Sequence, residues 1–207
     1  MRPTFSLLAI SDRASLLARE IDLADWLRSL QGAGGDLAVQ LREKDLDDGP
    51  LLALARLART LLPPSVPLLV NGRLDIALAA GGDGVHLPAD GVPAAPLRAR
   101  FGGGRTLLIG RSTHSVAEVE RARDDGADYV TFGPVYSTPG KGAPAGLEAL
   151  ARAAAAGLPV YALGGVTLDR FDELAAAGAA GFAAIRLFQS APWAEIARAA
   201  RIALGRA

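Results

Sequence analysis

The chain has no cysteine, one methionine and two histidines in 207 residues. Without thiols, disulfides, cysteine-held metals and thiol nucleophiles are all excluded. Neither sign of charge is in excess, because 22 basic side chains face 22 acidic ones. The clustered positive surplus that nucleic acid or an anionic membrane surface needs is therefore missing. No apolar run approaches the roughly 20 residues of a membrane-spanning helix. The first such run, residues 5–10, is too short for a signal peptide and meets Asp12 and Arg13 at once. These absences lead us to expect a cytoplasmic protein with neither nucleic-acid nor membrane partners. Lysine is scarce too: the basic residues are 20 arginines plus Lys44 and Lys141.

Half of the residues are hydrophobic, enough for a sizeable core without staples. Short β-type runs alternate with longer Ala/Leu/Arg segments along the whole length. The predicted strands are 6–10, 37–42, 67–71, 84–87, 106–110, 129–133, 159–164 and 182–186. Apolar residues recur at helical spacing in 21–30, 51–62, 116–126, 171–179 and 193–204, the last serving as the eighth helix. Eight strand–helix units in this length predict one α/β domain over residues 1–207, a single (β/α)8 TIM barrel. An open doubly wound sheet is disfavoured, because no GxGxxG follows the first strand. Trp26 and Trp193 lie on predicted outer helices and are candidates for a homo-oligomer interface.

Barrels of this kind place their chemistry at the C-terminal ends of the strands. At that rim the sequence puts Gln40, Arg42, Lys44, Asn71, Ser112, His114, Thr138 and Lys141, with Arg186 after the last strand. Both lysines fall in this set. Long donor side chains gathered at a barrel mouth are costly unless something anionic meets them. Gly164-Gly165, together with the backbone after strand eight, suits a phosphate, which barrels commonly hold between their last two loops. The residues thus outline a pocket for a phosphorylated small molecule, with spare donors for a carboxylate or a diphosphate. His86, on a four-residue apolar strand, reads as a hydrogen-bonded core histidine.

QLREKD, VNGRLDIALAAGGDGVHL, IGRSTHS, FGPVYSTPGKG and PVYALGGV resemble, in order, the motifs of the thiamine phosphate synthase/TenI superfamily. The resemblance covers nearly the full length and implies an enzyme of thiamine biosynthesis acting on a phosphorylated thiazole. Two activities divide that superfamily. The synthase joins a hydroxymethylpyrimidine diphosphate to thiazole phosphate, releases pyrophosphate and uses Mg2+. The TenI-type tautomerase moves a proton on a thiazole carboxylate phosphate and makes the ring aromatic without a metal or other cofactor.

Synthases carry two metal-binding aspartates, and here their positions are occupied by Gly72 and Gly91. Asp90 stands one residue early. The second threonine of the synthase loop is also absent, although Thr138 and Lys141 remain. These departures favour the tautomerase, with His114 as the acid/base and no metal ligand. By the same resemblance, Arg42, Lys44 and Lys141 bind the ring carboxylate or stabilise developing negative charge. Gln40, Asn71, Ser112 and Thr138 contact substrate, and Gly164, Gly165 and Arg186 take the phosphate. Arg186 departs from the small serine usual at its position. A divergent synthase holding Mg2+ through Asp90 or Asp12, and a non-catalytic binder of thiamine-related phosphates, are the alternatives.

Overall fold

The eight apolar runs pair side by side in chain order, and the last pairs back onto the first to close a parallel barrel. The computed structural model describes residues 3–104 and 106–206. The first unit consists of β1 (Leu7–Ile10), α1 (Arg13–Leu17) and α2 (Leu23–Ser29), and β2 (Leu37–Leu41) leads into α3 (Asp48–Leu61). Then come β3 (Leu68–Asn71) with α4 (Leu74–Ala79), and β4 (Gly84–Leu87) with α5 (Ala94–Phe101). Next are β5 (Leu108–Thr113) with α6 (Val116–Asp124), and β6 (Tyr129–Phe132) with α7 (Gly146–Ala154). Finally β7 (Val160–Leu163) precedes a 3-10 turn and α8 (Phe171–Ala176), and β8 (Gly181–Ala184) precedes α9 (Leu187–Ser190) and α10 (Trp193–Ala203).

Alternation along the strands sorts the core into two shells. Outward residues such as Leu7, Val39, Val70, Val130 and Phe182 pack beneath the helices. Inward residues Leu8, Ile10, Ala38, Leu69, Leu108, Tyr129, Tyr161 and Ala183, with Phe5, fill the barrel itself. Two tyrosines fit there because neighbouring strands have no side chain at the matching level. A Cβ on Gly110 would lie 2.2 Å from Tyr129 Cζ, and one on Gly181 would lie 2.5 Å from Tyr161 Cε1. Side chains therefore fill the lower barrel, and a cavity opens above it.

Several boundaries differ from the sequence reading, two of them for identifiable reasons. Helix α3 begins three residues early, because Pro50 sits in the first turn where a missing N–H costs nothing. Strand β5 runs on to Thr113 through polar residues, whose ladder pairs Ser112 with Thr131 and Thr113 with Phe132. Helices α1 and α9 are too short to leave a periodic signal. Trp26 corrects the interface expectation: it is buried, and its indole N–H donates to the Phe188 carbonyl at 2.8 Å, tying α2 to α9. Trp193 is half-buried against the same core. Among the described residues no helix is long and apolar enough to cross a membrane.

Candidate active site

A cavity of about 1060 Å³ opens at the C-terminal ends of the strands. Its lining includes Arg42, Lys44, Asn71, Ser112, His114, Thr138, Lys141, Gly164, Gly165 and Arg186. Nearly every rim residue expected from the sequence thus meets in one space. Gln40 does not line it. That side chain points inward one step deeper, is buried, and donates to Asn71 Oδ1 at 3.0 Å. Gln40 therefore supports Asn71 from below.

The cavity wall carries five cationic side chains, Arg42, Lys44, Lys141, Arg170 and Arg186, against two carboxylates, Asp12 and Asp90. In a chain of zero formal net charge this local surplus marks an anion site. Arg170 escaped the sequence reading because it lies in a turn beyond β7. Its Nη1 donates to the Gly165 carbonyl at 2.6 Å, and its guanidinium stacks 4.1 Å from the Tyr136 ring centroid. The Gly164-Gly165 corner is crowded as well as turned. A Cβ on Gly164 would lie 2.6 Å from Pro134 Cα, and one on Gly165 would lie 2.7 Å from Tyr136 Cβ, both at positive φ. Only glycine brings the β7 corner this close to the loop after β6.

Lys141 ends a turn in which its N–H bonds the Thr138 carbonyl at 3.1 Å, with Pro139 and a positive-φ Gly140 at the centre. Lys44 follows a tight cross-link between the first two loops. Ser11 Oγ donates to Glu43 Oε1 at 2.5 Å and accepts from the Arg42 N–H at 2.9 Å, while Glu43 Oε2 accepts from the Arg13 N–H at 3.0 Å. Glu43 is buried and spends its charge on this lock, which leaves Arg42 and Lys44 facing the cavity.

His114 stands just past β5, ahead of a helix that Ser115 caps. Its Nδ1 lies 2.5 Å from the Gly133 carbonyl oxygen, which can only accept. Nδ1 therefore carries hydrogen, and Nε2 of the neutral ring keeps a lone pair. His86 is different. It is fully buried beneath the floor, where desolvation first, then the Arg111 and Arg42 charges, lower its pKa to about 3. It stays neutral at any ordinary pH.

Mg2+ is held by one or two carboxylates beside substrate phosphates, and the cavity wall offers Asp12 and Asp90. Among the described residues no group of three or more His, Asp or Glu is arranged to hold a metal ion. Asp12 spends a carboxylate oxygen capping α1, accepting from the Ser15 N–H at 2.9 Å. Asp90 sits inside a turn closed by the Gly91 N–H on the Pro88 carbonyl at 3.0 Å. A Cβ at Gly91 would lie 2.9 Å from Pro88 Cδ and 3.1 Å from Pro88 O. A side chain at that position thus needs Pro88 to shift. Gly72 has more room, its nearest neighbour being Pro88 Cδ at 3.8 Å, but a φ of 67°.

Residues 7–188 match the family described as thiamine monophosphate synthase. A putative thiamine-phosphate synthase of Geobacter sulfurreducens is 48% identical over 188 residues, covering 87% of this chain and 85% of that protein. A thiamine-phosphate synthase of Thermus thermophilus is 39% identical over 205 residues, covering 97% and 90%. The thiamine phosphate pyrophosphorylase structure from Pyrococcus furiosus superposes with a TM-score of 0.81 at 26% identity, over 99% of this chain and 97% of that one. The barrel and its motifs are those of an enzyme of thiamine biosynthesis, and the chain belongs to the thiamine monophosphate synthase family.

Proposed function

We propose that this enzyme is a metal-independent tautomerase of a thiazole carboxylate phosphate. The observation that carries the reading is the turn Pro88-Ala89-Asp90-Gly91. It puts glycine where the synthase motif carries one metal-binding aspartate, while five cationic side chains line the cavity. Moving a proton on a ring needs one positioned base and no metal. His114 Nε2 supplies the lone pair, and Nδ1, fixed on the Gly133 carbonyl, keeps the tautomer that makes Nε2 the base. The proton leaves a ring carbon for Nε2 and returns from the imidazolium to a second ring position, leaving the ring aromatic. Arg42, Lys44 and Lys141 stabilise the negative charge that builds up between the two transfers. The Gly164-Gly165 corner, with Arg186, takes the phosphate.

The second reading is thiamine phosphate synthase, joining a pyrimidine diphosphate to thiazole phosphate with loss of pyrophosphate. The names of the relatives at 39% and 48% identity favour it. The two readings part in one assay. Purified protein is given the thiazole carboxylate phosphate and the ultraviolet change of aromatisation is followed with and without EDTA. The tautomerase reading expects turnover that EDTA leaves intact. Absence of turnover, combined with restored growth of a strain lacking the synthase, would establish the second reading in its place.

A further inference from the structure

Beneath the cavity lies a buried column that the proton transfer does not use. His86 Nδ1 is 3.0 Å from the Tyr129 hydroxyl, and Nε2 is 3.1 Å from Ser112 Oγ and 3.3 Å from Thr131 Oγ1. Ser112 and Thr131 are register partners on β5 and β6, and both line the cavity. Tyr129 and His86 lie below them, out of solvent.

A neutral imidazole donates through one nitrogen and accepts through the other, so this column has two arrangements. Tyr129 decides between them. Among the described residues its hydroxyl has one hydrogen-bond partner, His86 Nδ1. Around the Tyr129 ring stand the Phe5 and Tyr161 rings, at 5.4 and 5.2 Å between centroids, and the bare backbone of Gly110. The Tyr161 hydroxyl is already committed to the Phe5 carbonyl at 2.5 Å. If Nδ1 carried hydrogen, the phenol hydrogen would be left without an acceptor in an apolar chamber. Tyr129 therefore donates to Nδ1, and Nε2–H is the hydrogen shared by the Ser112 and Thr131 oxygens. Burial, Arg111 and Arg42 all oppose a second proton on the ring. The Ser112 and Thr131 hydroxyl hydrogens then cannot go to Nε2, and the cavity that both residues line is open to them.

We infer that the Tyr129–His86 column fixes the cavity floor as a pair of hydroxyl donors, and that this floor takes the carboxylate of the ligand. Two donors match the two oxygens of a carboxylate, and Arg42 alongside compensates its charge. The phosphate is then directed to the Gly164-Gly165 wall formed by β7 and β8. Ser112 and Thr131 touch the ligand, whereas His86 and Tyr129 are positioning residues that act through them. The carboxylate half rests on the proposed tautomerase substrate; the tautomer half does not.

Nitrogen-15 NMR of histidine-labelled protein reads the tautomer directly. The chain has only His86 and His114, so a His114→Asn sample assigns both. For His86 a pyridine-type Nδ1 and a pyrrole-type Nε2 are expected, unchanged between pH 7 and pH 5. A pyrrole-type Nδ1 would overturn the column. Tyr129→Phe keeps the ring and removes the donor, and should convert the single pattern into a mixture; an unchanged pattern also counts against Tyr129 as the setter. Calorimetry then compares the thiazole carboxylate phosphate with the same thiazole phosphate lacking the carboxylate. Ser112→Ala should weaken the first by about tenfold or more, the scale of one hydrogen bond to a charged group, and leave the second within about twofold. Equal losses would overturn the carboxylate placement. If wild-type protein binds neither ligand, the tautomerase reading and the carboxylate half fall together, and the NMR alone judges the tautomer.

Discussion

A single neighbour can fix what a side chain lining the cavity offers to it. His114 is the clearest case, because the Gly133 carbonyl holds Nδ1 and leaves Nε2 for chemistry. The two amide substitutes for histidine then have different meanings. Asparagine places its N–H near the Nδ1 position and can keep the Gly133 bond, but offers no base at Nε2. His114→Asn should therefore lower kcat at least about a hundredfold while ligand affinity stays within about threefold. Stopped-flow turnover alongside calorimetry checks this, and equal losses in both would reduce His114 to a binding residue. His114 could be picked out in the sequence because it is polar and stands at a strand end. Gln40 lies deeper than the rim, because alternation gives a residue's face but not its depth. One level down the barrel, its amide N–H meets Asn71 Oδ1. His86 on its apolar strand is legible as a core histidine, yet its Tyr129 partner lies 43 residues away and only the folded register joins them.

Among the elements, the loop between β4 and α5 borders the cavity through Pro88, Ala89 and Asp90. One outward side chain of the next strand holds it. Arg111 donates through Nη1 to the carbonyls of Ala89 and Gly91 at 3.3 and 3.2 Å, and through Nη2 to Val92 O at 2.5 Å. Its charge is met by Asp125 at 3.3 Å, which also accepts from the Ala94 N–H at 2.6 Å and so fixes the start of α5. A planar fork reaches three carbonyls at once, and a lysine ammonium cannot. Arg111→Ala should cost about 2–3 kcal/mol, the loss expected for hydrogen bonds made by a buried charge. Urea unfolding measures it, and hydrogen exchange should quicken in residues 88–93 before it does elsewhere. A change within about 0.5 kcal/mol, with exchange unaltered, would mean the loop holds itself. The sequence shows Pro88 and Gly91 as turn residues. It does not show that Arg111 faces away from the cavity, because that depends on the register of β5 with β4.

For the whole molecule, eight apolar runs separated by helical segments were enough to specify the barrel, since each parallel pair needs a crossover and, after seven of them, β8 pairs back onto β1. The short helices α1 and α9 were hidden because four or five residues carry no periodicity, and their places are fixed by contacts such as Ser15 Oγ to Gln189 Oε1 at 2.9 Å. Closure also has an electrostatic consequence. It traps His86 in a dry interior where its pKa falls from 6.5 to about 3, mainly through desolvation and further through Arg111 and Arg42. The unfolded chain takes up that proton near pH 6.5, while the folded chain holds out to about pH 3. Between those values the unfolded state binds more protons, so the stabilising contribution is present above pH 6.5 and is lost as the pH falls. One such group accounts for about 2 kcal/mol between pH 7 and pH 5. Removing it should flatten the curve: His86→Gln, whatever its absolute stability, should lose about 2 kcal/mol less than the wild type over that interval. Paired urea titrations at pH 7 and pH 5 provide the comparison. His114 and every carboxylate are common to both proteins and cancel, so parallel slopes would mean that the histidine is protonated in the folded barrel and that the interior is wetter than its packing indicates.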